Sequence, residues 1–373
     1  VKEGAVPRID LVGPLEVNPE IAHAETLPSA FYTEQALYQV AKERIFARSW
    51  QFIGDTDDLR APGSVKPQIL LEGCLDEPIV ATRDMKDTLH LVGNVCTHRG
   101  YLVAEAPGNE RFLRCRYHGR RFALDGKFQS MPEFDGVCGF PTERDNLPQV
   151  PHGFWEKLMF AGVSPAMPLA DWLKPMLDRV GWLPLNDFTH RPDRSREYLV
   201  QANWALYVDN YLEGFHIPFV HAGLNDVLNY ESYGTETYPW GNLQIGESKG
   251  AEDVFDLPTS SIDYGKQVSA YYFWLFPNTM FNFYPWGLSV NVIQPLGPGT
   301  TKVRFINYGW DDSKYGRGEG GSLDRVERED EVVVEGVQRG LRSRFYDRGR
   351  YSVAREGNVH HFHRLIAAAM QAE

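Results

Sequence analysis

At 373 residues the chain has room for two or more domains, and its 43% hydrophobic content supplies a large packed core rather than wholesale disorder. A formal net charge of −12 excludes the basic footprint that nucleic-acid binding needs, fits a soluble enzyme, and leans toward a cationic substrate. No run of about 18 apolar residues marks a membrane span, residues 1–28 lack a basic-then-apolar signal layout, and four Cys are too few for a disulfide framework, so no membrane partner and a reducing cytoplasm are expected.

Residues 1–28 are Pro-rich and irregular, an arm expected to lie on the surface or on a neighbour. Thr33 suits an N-cap, with Glu34 and Gln35 in the first turn. Leu37, Val40, Ala41, Ile45 and Phe46 recur at helical spacing, which predicts a helix over about 34–47. From Trp50 to about Pro165 the texture changes to short strands at 66–71, 78–83, 89–93, 111–115, 120–124 and 158–163, punctuated by Gly and Pro. A linking helix is predicted over 168–181, kinked or restarted at Pro175. A strand at 196–202 and a helical stretch from Trp204 to His221 follow. Residues 222–268 look like loop and lid. Strands at 270–276, 279–284, 287–295 and 301–310 predict an antiparallel meander. Helices over 322–343 and 357–371 close the chain, the first preceded by a mobile loop at 311–321, and no internal repeat is found. The expected class is α+β. A small all-β domain (50–165) is inserted in a larger domain made of the arm and helix of 1–49 and of 166–373, where helices cover an antiparallel sheet.

The inserted domain carries Cys96-Thr97-His98 and Cys115-Arg116-Tyr117-His118, a C-x-H-x16-C-x2-H pattern. Thiolates and imidazoles on two short loops suit zinc or iron. Zinc loops usually pair Cys with Cys and His with His. Here each loop contributes one of each, which fits a two-iron cluster with His on one iron, the Rieske centre. Gly100 and Gly119 sit where the backbone must turn tightly near sulfur. Cys74 and Cys138 are left over and read as ordinary packing.

A second constellation lies at 203–221, NWALYVDNYLEGFHIPFVH. On a helix Glu213 and His216 share a face, and Asp209, seven before His216, shares it too. His221 would turn away, but Pro218 must end or bend the helix and can swing it back. Two imidazoles and one carboxylate form the facial triad of non-haem iron(II) oxygenases; the competing reading is a polar helix face. Asp330 is the best third ligand, since it can point inward with Val333 and Val334. Glu327, Glu329 and Glu331 compete, and a solvated acidic face is the plainer reading.

Taken together, C-x-H-x16-C-x2-H, Asn210-x2-Glu213-x2-His216-x4-His221 and Glu329-Asp330-x4-Glu335-Gly336-Val337-Gln338-Arg339-Gly340 resemble the α subunits of Rieske non-haem iron oxygenases over roughly 50–345. The branch they look most like holds the choline, glycine betaine and carnitine monooxygenases. The resemblance implies a [2Fe-2S] cluster on Cys96, His98, Cys115 and His118, and a mononuclear iron on His216, His221 and Asp330. It places Glu213 where a carboxylate bridges a cluster His of one subunit and an iron His of the next, with Asp209 as the spare candidate. It implies a terminal oxygenase that takes electrons from an NAD(P)H-dependent reductase, or a ferredoxin plus reductase, and hydroxylates or N-dealkylates a small substrate with O2. It also implies a cyclic homotrimer, because the two metals of one subunit lie too far apart for fast transfer. A homomeric aromatic dioxygenase and a simple Rieske electron carrier are the alternatives.

The family often has Pro after the second cluster Cys and Trp after His-Gly, where this chain has Arg116 and Arg120. With Arg99, Arg114 and Arg121 they read either as salt bridges at the cluster or subunit interface, or as a docking patch for an acidic redox partner. Tyr271, Tyr272, Phe273, Trp274, Phe276, Phe281, Phe283, Tyr284 and Trp286 make two aromatic strands, with Tyr238 and Trp240 nearby. Most read as β core. Some could form a cation–π cage for a quaternary ammonium or walls for a flat aromatic.

Overall fold

The computed structural model describes residues 15–220, 234–248, 254–315 and 323–372. It divides into one unit of residues 47–166 and another of 1–46 with 167–373. Among the described residues no helix is long and apolar enough to cross a membrane.

The 47–166 unit is all β. Its strands are β1 (Gln51–Asp55), β2 (Ser64–Leu70), β3 (Glu77–Arg83), β4 (Leu89–Gly93), β5 (Gly108–Asn109), β6 (Leu113–Arg114), β7 (Arg121–Phe122), β8 (Phe128–Ser130), β9 (His152–Trp155) and β10 (Leu158–Ala161). They form three small sheets, ordered β1-β10-β9, β4-β3-β2-β5 and β6-β7-β8. Val65, Val80, Val92, Leu113, Phe122 and Leu147 pack with Cys96 and Cys115 in one core. Each such buried aliphatic or aromatic side chain contributes about 1.5–3 kcal/mol. The two Cys therefore sit on the wall of a rigid core, and the loops they belong to leave from strand ends.

The other unit is built on an eight-stranded antiparallel sheet: β11 (Thr189–His190), β12 (Arg196–Val200), β13 (Gly234–Tyr238), β14 (Gly241–Glu247), β15 (Val268–Leu275), β16 (Thr279–Tyr284), β17 (Gly287–Gly297) and β18 (Thr300–Gly309). Its order is β11-β18-β17-β16-β15-β14-β13, with β12 also on β18. Both β13 and β14 fall in the segment expected to be loop and lid. The hairpin that joins them turns through Tyr238-Pro239-Trp240-Gly241, the same four residues that join β16 to β17 at Tyr284-Pro285-Trp286-Gly287. A Cβ on Gly241 would strike the Trp274 carbonyl oxygen, and one on Gly287 the Tyr308 carbonyl oxygen. Only glycine lets these strands close on their neighbours.

Several helices depart from expectation. Thr33 ends a short helix (Ser29–Thr33), its Oγ1 donating to the Ser29 carbonyl, and Glu34 precedes the next (Gln35–Ala41), which runs into a π-helical turn (Lys42–Phe46). The helix Leu169–Val180 passes through Pro175 without restarting. The arm from Leu15, expected on the surface or on a neighbour, is tied to its own unit. Leu15, Ala24 and Leu27 are buried, and Thr26 and Ser29 donate backbone hydrogen bonds to Gly349 and Asp347. The loop expected at 311–321 falls mostly outside the described residues. The last two helices are Leu323–Gly340 and Gly357–Gln371. On the first, Asp330, Val334 and Gln338 are buried at spacing four. Val337, on the same helix, is 44% exposed.

Candidate metal centres

The two Cys-His loops share one backbone design. Cys96 N donates to Tyr101 O (2.8 Å) and Gly100 N to Cys96 O (3.0 Å); Cys115 N donates to Arg120 O (2.9 Å) and Gly119 N to Cys115 O (3.0 Å). Gly100 and Gly119 both have φ of +74°, a left-handed turn that a Cβ would strain. The first loop follows β4 and is closed by a Val95–Leu102 bridge; the second joins β6 to β7. The paired turns bring the two Cys together and the two His together. Cys96 and Cys115 are buried and unbridged by a disulfide, and burial, with Cys115 close by, pushes the Cys96 thiol up. The His98 and His118 rings lie 4.7 Å apart at 69°. His118 Nδ1 is buried without a hydrogen-bond partner, a condition that costs free energy unless something else binds that nitrogen. Burial, then the neighbouring His118, Arg99 and Arg120 charges, push His98 below its usual value. Two buried thiols and two adjacent imidazoles, one with an orphaned nitrogen, fit a [2Fe-2S] group held by two residues on each iron.

The second constellation is arranged differently from a continuous helix. The helix Trp204–Tyr211, capped by the Asn203 side chain on Ala205 N (2.9 Å), stops at Leu212, and a short helix Ile217–Val220 follows. The break precedes Pro218, which sits in the first turn of the short helix, where its missing N–H costs nothing. Glu213 makes the break. Its Oε2 accepts from the backbone N–H groups of Phe215 and His216 (3.1 Å for His216), so the carboxylate replaces the lost helix bonds. Its Oε1 accepts from His216 Nδ1 at 2.6 Å. That bond leaves His216 Nε2 pointing at Asp330 Oδ1, 3.4 Å away. Asn210 Nδ2 donates to the same oxygen at 3.1 Å. An imidazole oriented by a carboxylate and facing a second carboxylate is, once it has given up its proton, a donor set suited to divalent iron.

Asp209, expected on the His216 face, turns the other way. Its Oδ1 lies 2.8 Å from His363 Nε2, and its Oδ2 accepts from Tyr32 OH at 3.3 Å. His221 lies outside the described residues. Glu327 accepts a hydrogen bond from Tyr207 OH, so this competing carboxylate is engaged elsewhere. Among the described residues no three His, Cys, Asp or Glu side chains close on one ion-sized point. The four residues expected at the first site would be shared between two irons, and at the second site His221, expected beside His216 and Asp330, is not among the described residues.

Two partners were missed in the sequence, Tyr207 and His363, and Asn210 stood in the quoted motif without a role. Asn203, Tyr207 and Asn210 repeat at spacing four and three, a polar stripe on an apolar helix that marks a face with work to do. The arginines also separate. Arg120 is 1% exposed and bonded to Asp145. Arg99, Arg114, Arg116 and Arg121 are exposed, with Arg116 3.2 Å from Glu105 and Arg121 over the Phe112 ring.

A family model of the Rieske [2Fe-2S] domain matches residues 49–141, and one of the ring hydroxylating alpha subunit (catalytic domain) matches 187–372. The chain is 31% identical to choline monooxygenase of Arabidopsis thaliana, over 94% of this chain and 85% of that protein. It is 29% identical to the carnitine monooxygenase oxygenase subunit of Escherichia coli K12, over 94% of each. A solved quaternary ammonium Rieske monooxygenase, described for carnitine oxidation and inter-subunit electron transfer, superposes with a TM-score of 0.75 at 26% identity, over 95% of this chain and all of that one.

Proposed function

The chain belongs to the Rieske non-haem iron oxygenases, as the terminal oxygenase component of a multicomponent system, and from that premise we propose that it oxidises a quaternary ammonium compound of the choline or carnitine kind. Its cofactors are a [2Fe-2S] Rieske cluster and a mononuclear non-haem iron. The catalytic-domain match removes the reading as a simple electron carrier. The observation that carries the proposal is the shared likeness to choline and carnitine monooxygenases over nine-tenths of the chain.

In this reading Cys96, His98, Cys115 and His118 hold the cluster, and His216, His221 and Asp330 hold the iron. When bound, these groups supply electrons and the activation of O2. The remaining work belongs to the protein. Glu213 keeps the proton on His216 Nδ1 and so reserves Nε2 for the metal. Asn210 steadies Asp330. Tyr211, on the same helix, donates to Asn282 of β16 (2.6 Å), so that helix lies over the sheet face shared by Tyr272, Trp274, Asn282 and Tyr284. Aromatic rings and amides on that face suit a cation, which each ring attracts by about 0.5–2 kcal/mol.

One atom of O2 enters the substrate and the other leaves as water, with two electrons and two protons balancing the step. Hydroxylation of a carbon beside nitrogen yields a hemiaminal that collapses with C–N cleavage; choline hydroxylated at its alcohol carbon yields an aldehyde hydrate. The electrons come from an NAD(P)H-dependent reductase, directly or through a ferredoxin, in the cytoplasm. The working unit is a head-to-tail trimer in which Glu213 links the iron of one subunit to the cluster of the next. Light scattering that finds only an active monomer would remove the trimer. Oxygen uptake that responds to these cations and stops in His216→Ala, with the cluster spectrum retained, tests the oxygenase reading.

A further inference from the structure

Arg120 is a cation where a cation is costly. Its side chain is 2% exposed. One guanidinium nitrogen donates to Asp145 Oδ1 (2.7 Å) and to Asp145 O (3.1 Å). The Nε atom is buried with no partner. Three phenylalanine rings surround the group, Phe128 at 4.9 Å, Phe140 at 5.4 Å and Phe122 at 5.6 Å from its central carbon. Burying an ion pair seldom adds stability over apolar residues of similar volume, so its presence asks for another reason.

The pair touches both ligand loops. The Arg120 carbonyl accepts from Cys115 N at 2.9 Å, which closes the second loop. The Asp145 carbonyl accepts from Thr97 Oγ1 at 2.8 Å, and Thr97 stands between Cys96 and His98 in the first. The Asp145 carboxylate is further occupied: Oδ2 accepts from Thr142 N (2.7 Å) and Thr142 Oγ1 (3.2 Å). The guanidinium charge is felt at Cys96 and His98. It is the buried cation at the site, shielded from water and salt by the rings, whereas Arg99 and Arg116 are exposed and screened.

We propose that Arg120 is a positioning and redox-tuning residue, whose buried charge favours the reduced cluster and whose ion pair with Asp145 fixes the two ligand loops. Two ferric ions, two sulfides and two thiolates with neutral imidazoles sum to no net charge; one added electron makes the group −1. A fixed cation in a low-dielectric shell lowers the free energy of the −1 state more than that of the neutral one. Arg120 thereby makes the cluster a better acceptor for the electron its partner delivers. The inference rests on the reading of Cys96, His98, Cys115 and His118 as cluster ligands.

The test is the midpoint potential of the full-length holoprotein, followed by the Rieske electron paramagnetic resonance signal during redox titration. If the parent shows no Rieske signal, the ligand reading fails first. Given that signal, Arg120→Gln should disfavour reduction by at least tenfold, about 59 mV for one electron. Asp145→Asn keeps the cation and removes its counter-charge, so it should shift the potential the opposite way. Arg120→Lys should stay within threefold of the parent, and exposed Arg116→Gln should not move it. Shifts of the same sign in Arg120→Gln and Asp145→Asn, or none, overturn the proposal. So does loss of the signal from all three site variants while circular dichroism shows them folded, since that assigns a structural role alone.

Discussion

Glu213 Oε1 lies 2.6 Å from His216 Nδ1, while the other oxygen of the same carboxylate caps the chain break that carries His216. One side chain sets both the backbone and the ring of the histidine proposed to bind iron. Glu213→Ala should lower turnover or iron affinity by about 10–100-fold, the range for partners that orient a ligand. Glu213→Gln should recover the backbone part only. Reduction of the cluster by the reductase should be unchanged in both. Stopped-flow reduction together with single-turnover product measures the split; a slowed reduction of the cluster would contradict it.

The same histidine gives the fold a pH signature. Burial pushes His216 down, but the carboxylates of Asp330 and Glu213 more than offset it, and in iron-free protein the ring is pushed up to about 9. An unfolded histidine titrates at about 6.5. The folded value is the higher one, so the protonated ring stabilises the iron-free fold fully below that pH. The contribution is lost as pH rises through about 9. It is on the order of 3 kcal/mol. Denaturant titrations of iron-free protein at pH values spanning this window should show the decline, and His216→Gln should flatten it. Identical profiles would contradict the assignment. Iron affinity should rise over the same window, because the ring must lose its proton to bind.

His363 joins three parts of the chain within its unit. Its Nε2 meets Asp209 Oδ1 at 2.8 Å and Tyr32 OH at 3.1 Å, and its Nδ1 meets Tyr351 OH at 2.6 Å. His363→Phe should destabilise the protein by about 1–3 kcal/mol, because buried partners are left unpaired. The cluster spectrum should not change. Thermal unfolding followed by circular dichroism reads this, and an unaltered melting temperature would remove the network from the account.

The parts most open to sequence reading were those with local signals. The Cys-x-His and Cys-x2-His spacings, the strands from 268 to 309 and the last two helices each announce themselves within a few residues. What was hidden depends on tertiary neighbours. Nothing local says that Glu213 caps a break, since helical spacing alone keeps it on a continuous helix beside Asp209. A salt bridge at the cluster was one reading of the five arginines, but nothing local singles out Arg120 for it until Asp145 and three rings enclose that side chain. The hairpin at 238–241 was legible but missed. Its Tyr-Pro-Trp-Gly repeats the turn correctly read at 284–287, and the surrounding Gly- and Asp-rich stretch masked it.

That repeated turn makes its own prediction. Gly241→Ala and Gly287→Ala each force a methyl into a carbonyl of the adjoining strand. Such overpacking costs about 1–3 kcal/mol or more. Both should lose soluble yield or melt earlier. Gly297→Ala, where no atom lies within 4 Å, should behave as the parent. Equal melting temperatures for all three would contradict the close approach.

The central claim, oxygenation of a quaternary ammonium substrate, is tested most directly by oxygen uptake with iron-loaded protein, NAD(P)H and a surrogate reductase. The panel contains choline, betaines, carnitine and simple aromatic acids, with labelled O2 and mass analysis of the product. The expected result is uptake driven by one or more of the ammonium compounds, with one labelled atom per product. Uptake driven by an aromatic acid alone, giving a cis-diol with two labelled atoms, would contradict it.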